Sequence, residues 1–298
     1  MNALRTAATG LAFALLGTAG AGCGLFGDDS SPTAPSSVVR PQPGGAIHYT
    51  AIGASDANGI GASVPCVPFA PCENGTGYVP VLARQLRVSR EVTLVNLGIP
   101  ASVLAPSMET LARQSGRDVT GNYIDRQMPF VPRESTLVTI FGGVNDANAL
   151  GDAVAGGAAG TNIPEYIATQ ARLFGVDYDR LVQGVRSRAG GAFIIVINVP
   201  NLAAMPYAAQ YPLAHRRVLQ AISLAFSREA NRQAGNGLVV MDVMCDSGIY
   251  DPGRFAGDGF HPNDAGYAHI ASRLAAIVNG AATTVPPSCA SMTVVPPL

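Results

Sequence analysis

Five short and nearly uninterrupted apolar runs recur along the chain, at Ile47–Gly53, Val92–Gly98, Leu137–Phe141, Ala192–Val199 and Leu238–Val243. Continuous apolar runs of this length are what parallel strands covered on both faces look like. Between them lie segments with helical character, at about Tyr78–Leu86, Val103–Gln114, Ile163–Arg188, Leu213–Ala234 and Pro262–Asn279. Pro164 and Pro262 fit the first turns of the third and fifth, where a missing N–H costs nothing. The alternation predicts an α/β fold: a three-layer α/β/α sandwich around a five-stranded parallel sheet. The stretch from Asp146 to Asn162 is rich in Gly and Ala and reads as a loop bordering the end of the third strand. No internal repeat interrupts the pattern.

The chemistry gathers where these strands should end. Gly53-Ala-Ser55 follows the first apolar run, and small molecules react at the C-terminal edge of a parallel sheet. Near the other end of the chain stands Asp258-Gly-Phe-His261. An Asp three residues before a His can hold one imidazole nitrogen and leave the other facing outward. A serine needs a base to take its proton, and the base works better with its tautomer fixed by a carboxylate. The second strand ends at Gly98 and the third runs into Gly143-Val-Asn145-Asp146. The amides of Ser55 and Gly98 and the side chain of Asn145 could then donate to an oxyanion.

Taken together, Ser55, Gly98, Asn145 and the Asp258–His261 pair make the chain resemble the SGNH (GDSL-type) hydrolase family, in the manner of an exported, lipoprotein-like bacterial member. The family blocks occur in order from about Ile47 to Asn279. The family's first block usually reads Gly-Asp-Ser; here it reads Gly53-Ala54-Ser55-Asp56, with the acid after the serine. The resemblance implies the flavodoxin-like SGNH fold and a serine esterase acting on carboxylic esters, whether acyl-lipid, aryl or short-chain. Ser55 is the expected nucleophile, His261 the base and Asp258 its orienting acid, with no metal or organic cofactor required. The Gly-x-Ser-x-Gly elbow of the α/β-hydrolases is not found around Ser55. Two alternatives stay open: a carbohydrate acetylesterase, and a non-catalytic surface lipoprotein using the same fold to bind.

Composition narrows the setting. The 298 residues carry a net charge of −1, which leaves no nucleic-acid footprint, and no Lys occurs. Residues 1–23 read as a signal peptide with an apolar centre at Leu11–Leu16, too short to span a bilayer stably. Ala19-Gly-Ala21 fits ordinary cleavage, whereas Gly20-Ala-Gly-Cys23 resembles a lipobox that would place a lipid on Cys23. Residues 24–46, rich in Gly, Ser, Pro and Thr, read as a tether, and residues 47–298 as one domain with a C-terminal tail. The expected location is the bacterial cell envelope by lipid anchor, or free secretion or the periplasm, and the expected state is a monomer.

Four further cysteines suit an exported chain. Of the three pairings possible, Cys66–Cys72 with Cys245–Cys289 is expected, a local loop plus a staple on the tail. The cysteine and histidine spacings match no metal motif. Asp56, Asp146 and Asp264 are expected to be caps or loop anchors. His48, His215 and His269 fall on a strand or in helices and are assigned no chemistry.

Overall fold

The computed structural model describes residues 40–298 apart from Asn236. The expected leader and Cys23, and most of the expected tether, lie outside the described residues. The elements run β1 (Ile47–Gly53), α1 (Ser55–Asn58), α2 (Tyr78–Arg87), β2 (Val92–Asn96), α3 (Pro106–Gln114), α4 (Tyr123–Arg126), β3 (Leu137–Phe141), α5 (Val144–Ala155), α6 (Ile163–Arg188), β4 (Phe193–Ile197), α7 (Leu213–Asn231), β5 (Leu238–Met241) and α8 (Asp264–Val278). All strand pairs are parallel and the sheet order is β2-β1-β3-β4-β5.

β1 and β3 fill the apolar runs that announced them, and β2, β4 and β5 stop slightly short of theirs. β3 and β4 are buried at every position, which is why they carry no polar alternation. β2 lies at the sheet's edge, and its burial alternates instead. Helices α2 and α8 pack on each other; α3 packs on α5, α5 on α7 and α7 on α6. Right-handed crossovers place these two sets on opposite faces of the sheet.

Two expectations are corrected. Residues 146–155, taken as the start of a loop, belong to helix α5. Its Ala and Gly residues are buried almost all round, between α3 and α7, so no amphipathic period marks it. Ala is also the strongest helix former, and close packing prefers small residues. The second correction is Pro262, which stands outside α8. The helix begins after Asn263, whose side chain caps the N–H groups of Ala265 and Gly266 at 3.0 and 3.1 Å. Pro262 instead bridges to Phe255 across the loop. Pro164 does occupy the first turn of α6.

Both expected disulfides are present, Cys66–Cys72 and Cys245–Cys289. Arg40, within the expected tether, already touches the domain, its guanidinium 5.3 Å from the Phe193 ring centre. Among the described residues no helix is long and apolar enough to cross a membrane.

Candidate active site

From β1 the chain passes to β2 on one side and then crosses back over β1 to β3 on the other, so the sheet's switch point lies beyond the C-terminal ends of β1 and β3. Open α/β sheets form their crevices there. Ser55 follows β1 directly. Ala54 turns the chain out of the strand, with φ −104° and ψ −136°, and Ser55 opens the four-residue α1. The turn is closed by backbone bonds from Ala57 to Ala54 and from Ile60 to Ser55.

The loop before α8 carries His261, the expected base. Asp258 Oδ1 accepts the backbone N–H groups of Phe260 and His261 at 2.9 and 3.0 Å, folding the loop back on itself. The other carboxylate oxygen lies 2.6 Å from His261 Nδ1, and His261 Nε2 lies 2.9 Å from Ser55 Oγ. One carboxylate therefore shapes the turn and holds the ring. With Nδ1 protonated toward Asp258, Nε2 is an acceptor for the serine hydroxyl. Burial alone would raise the Asp258 carboxyl, but the bonds from the His261 ring and the two backbone N–H groups hold it below the usual carboxylate range. Ser55 is 6% exposed, whereas Asp258 is more open to solvent.

Asn145 enters at the first turn of α5. Gly143 turns the chain with φ +105°, and a Cβ there would lie 2.6 Å from Val199 Cγ2, so only glycine fits. The Asn145 Nδ2 donates one hydrogen to the Ser102 carbonyl at 2.9 Å, and its other hydrogen has no partner among the described residues. The amide of Gly98 donates to Asn96 Oδ1 at 3.0 Å, so it can reach an oxyanion only by exchanging that bond. The Ser55 amide, at the head of α1, makes no such bond among the described residues.

A buried side chain that sequence reasoning missed ties these parts together. Gln127, fully buried, accepts from Gly53 N and donates to Gly53 O, both at 2.9 Å, and donates to Ser102 Oγ at 3.1 Å. Gly53 precedes the turn that carries Ser55, and Ser102 holds Asn145, so the clamp fixes Ser55 relative to Asn145. A single Gln beside Met128 offers no local signal of this role.

Of the expected anchors, Asp264 accepts the Ser63 N–H and hydroxyl at 2.8 and 2.6 Å, and Asp146 accepts the Leu104 N–H at 2.9 Å. Asp56, the displaced acid of the first block, lines a small cavity of about 30 Å³ under the His261 loop, with Phe260 and Pro262. Burial pushes its carboxyl up, and the nearby His261 opposes the rise. Elsewhere, His48 Nδ1 lies 2.8 Å from Thr93 Oγ1, His215 packs against Tyr211 with the rings tilted by 32°, and His269 Nε2 lies 2.6 Å from Asp246 Oδ2. Among the described residues no group of three His, Cys, Asp or Glu side chains is placed to hold a metal.

Comparison with solved structures returns lipases of the same architecture. A lipase from a goat rumen metagenome is 17% identical, covering 77% of this chain and 96% of its own, with a TM-score of 0.53. A putative GDSL-like lipase from Parabacteroides merdae is 18% identical, with coverage of 81% and 99% and a TM-score of 0.49. The extracellular lipase of Streptomyces rimosus is 16% identical, with coverage of 76% and 98% and a TM-score of 0.48. At 17% identity the likeness to the goat rumen lipase concerns the fold. A search of curated proteins finds no match. The model of the GDSL-like lipase/acylhydrolase family matches residues 51–269, a span well over half the chain that takes in Ser55, Asn145, Asp258 and His261, and the chain belongs to that family.

Proposed function

We propose that this chain is a serine esterase that cleaves carboxylic esters through an acyl-enzyme. The observation that carries the reading is the unbroken relay from Ser55 Oγ through His261 to Asp258. Ser55 attacks the ester carbonyl as His261 Nε2 takes its proton. His261 then returns that proton to the leaving alcohol. Asp258 stays ionised, orients the ring and stabilises the imidazolium. The tetrahedral oxyanion is held by the Ser55 amide and the free N–H of Asn145, joined by Gly98 once its amide leaves Asn96. Water activated by His261 hydrolyses the acyl-enzyme.

A binding module would have no use for a serine aligned on a histidine in this way. The test is burst release from a chromogenic short-chain ester. The parent protein should show a burst abolished by a serine-reactive phosphonate. Ser55→Ala should show neither burst nor turnover while melting as the parent does; persistent turnover would sink the reading. An acyl-chain-length series on the same protein separates acetylesterase from lipase chemistry.

Two disulfides support export into an oxidising compartment. With them we read residues 1–23 as a leader, residues 24–46 as a tether and Cys23 as the lipid-bearing residue. Mass spectrometry of the mature N-terminus decides between a lipidated Cys23 and an unmodified start at Gly22.

A further inference from the structure

Beyond the C-terminal ends of β4 and β5 lies a groove of about 540 Å³, separate from the catalytic crevice. That volume is in the range of small-molecule sites, about 300–1,000 Å³. Its walls are mostly apolar: Met205, Ala209, Val294 and the Cys245–Cys289 disulfide. Tyr250 adds a ring whose hydroxyl is already engaged, donating to Met244 O at 2.9 Å and accepting from Asn201 N at 2.8 Å.

The wall contributed by the C-terminal tail is firmly built. Two buried amides hold it. Asn201 Nδ2 donates to Ser291 O at 2.7 Å. Gln220 donates to Val295 O at 2.8 Å and accepts from the Val294 and Val295 N–H groups at 2.9 and 3.1 Å. Arg217 donates to the carbonyls of Pro296 and Pro297. With the disulfide, these contacts commit the tail to one position across this face.

One charge stands in the groove. Among the described residues the Arg216 side chain, on α7, reaches only the Ala203 carbonyl, at a weak 3.5 Å, and its buried Nε has no hydrogen-bond partner. No carboxylate pairs with Arg216 among the described residues. Asp246, between the lining residues Cys245 and Ser247, is taken up by His269 and Arg273. A guanidinium is a fork for a carboxylate and seldom left idle beside apolar walls.

We infer that this groove binds the carboxylate of a medium-chain fatty acid, its head on Arg216 and its tail along Met205, Ala209 and Val294. Charge complementarity selects an anion, and the apolar walls select an alkyl chain. The groove is also one loop away from the catalytic residues. Met205 lines both it and the cavity under the His261 loop, and Tyr207, two residues on, donates its N–H to Gly259 O at 3.0 Å. An acid released from Ser55 would have a short path to it. Only that last link rests on the esterase reading; the binding site does not.

The experiment is equilibrium binding of sodium decanoate to the Ser55→Ala protein, with decanol and sodium acetate as controls. Decanoate should bind, and decanol and acetate should bind at least about tenfold more weakly, since a charged hydrogen bond or the whole apolar contact is missing. Arg216→Met should weaken decanoate by about tenfold or more and Arg216→Lys by less. Ala209→Trp, at an exposed position, should also block it by filling the groove. Both Arg216→Met and Ala209→Trp, made in the parent, should hydrolyse a short-chain ester at the parent rate, which shows that they fold. Decanoate binding unchanged by Arg216→Met and by Ala209→Trp would overturn the proposal. So would decanol binding as tightly as decanoate, or acetate doing so. Ser55→Ala that still turned over ester would refute the esterase reading and leave the binding results standing.

Discussion

Asp146 is fully buried at the head of α5, and its titration should be visible in the stability of the whole domain. One carboxylate oxygen accepts the Leu104 N–H; the other has no hydrogen-bond partner among the described residues. Burial pushes its pKa up to about 7, against the pull of nearby backbone N–H groups. In the unfolded chain an aspartate titrates near ~3.9. Between those values the folded protein holds a proton that the unfolded chain has released. Stability must therefore fall as pH rises through this window. A displacement of roughly three units is worth about 4 kcal/mol once pH exceeds the folded value, and about 2.5 kcal/mol of that is lost between about pH 5 and about pH 8. Asp146→Asn keeps the acceptor for Leu104 and places N–H where the neutral acid carries its O–H. Urea unfolding of parent and variant at both pH values isolates the effect, because all other groups titrate alike in the two proteins. The variant should gain about 2.5 kcal/mol on the parent between the two conditions. Parallel curves across the range would show that Asp146 is ionised in the folded state and that the argument from burial is wrong.

Asn145→Ala should lower turnover by about 10²–10³ with little change in KM, and normal kinetics would reduce Asn145 to a turn residue held by Ser102. Asp258→Asn should lower kcat by about 10⁴. Because Asp258 is held below the usual carboxylate range, the parent's acid limb should not carry its titration, and raising the pH should not rescue the variant; recovery at alkaline pH would contradict the orienting role. The two disulfides close loops with sequence separations of 6 and 44. In the chain-entropy model their removal costs about 2 and about 4 kcal/mol respectively, so urea unfolding of the paired Cys→Ser variants should rank Cys245–Cys289 as the costlier loss, and the reverse order would point to native-state contacts rather than loop entropy.

What could be read from the sequence followed from how strongly each feature writes itself locally. Buried parallel strands must be apolar throughout, so the five runs named the five strands. The Asp258–His261 offset is set by one turn and could be read as a pair. Helix α5 could not, because a helix buried on nearly every side needs small residues and shows no polar face; Ala147, Ala149 and Gly151 look like loop until α3 and α7 are seen around them. Pro262 misled because a proline before an N-cap and one just inside a helix look alike in sequence. Gln127 and Gln220 were invisible for a different reason. Each satisfies backbone groups more than 20 residues away in sequence or across the fold, a task that leaves no trace in neighbouring residues.

The separation of Ser55 from His261 has a consequence for how the protein comes into being. The two residues meet across 206 positions, and α2, near the start of the domain, packs against α8, near its end. Contacts of such long range form late, after the intervening chain has closed its loops. A growing polypeptide that carries Ser55 but not yet the last helix has the proposed nucleophile without its proposed base. On that reading, ester-cleaving capacity would switch on only with the final stretch of synthesis and folding, and a cell that exported this chain unfolded would carry no active hydrolase on the near side of its membrane.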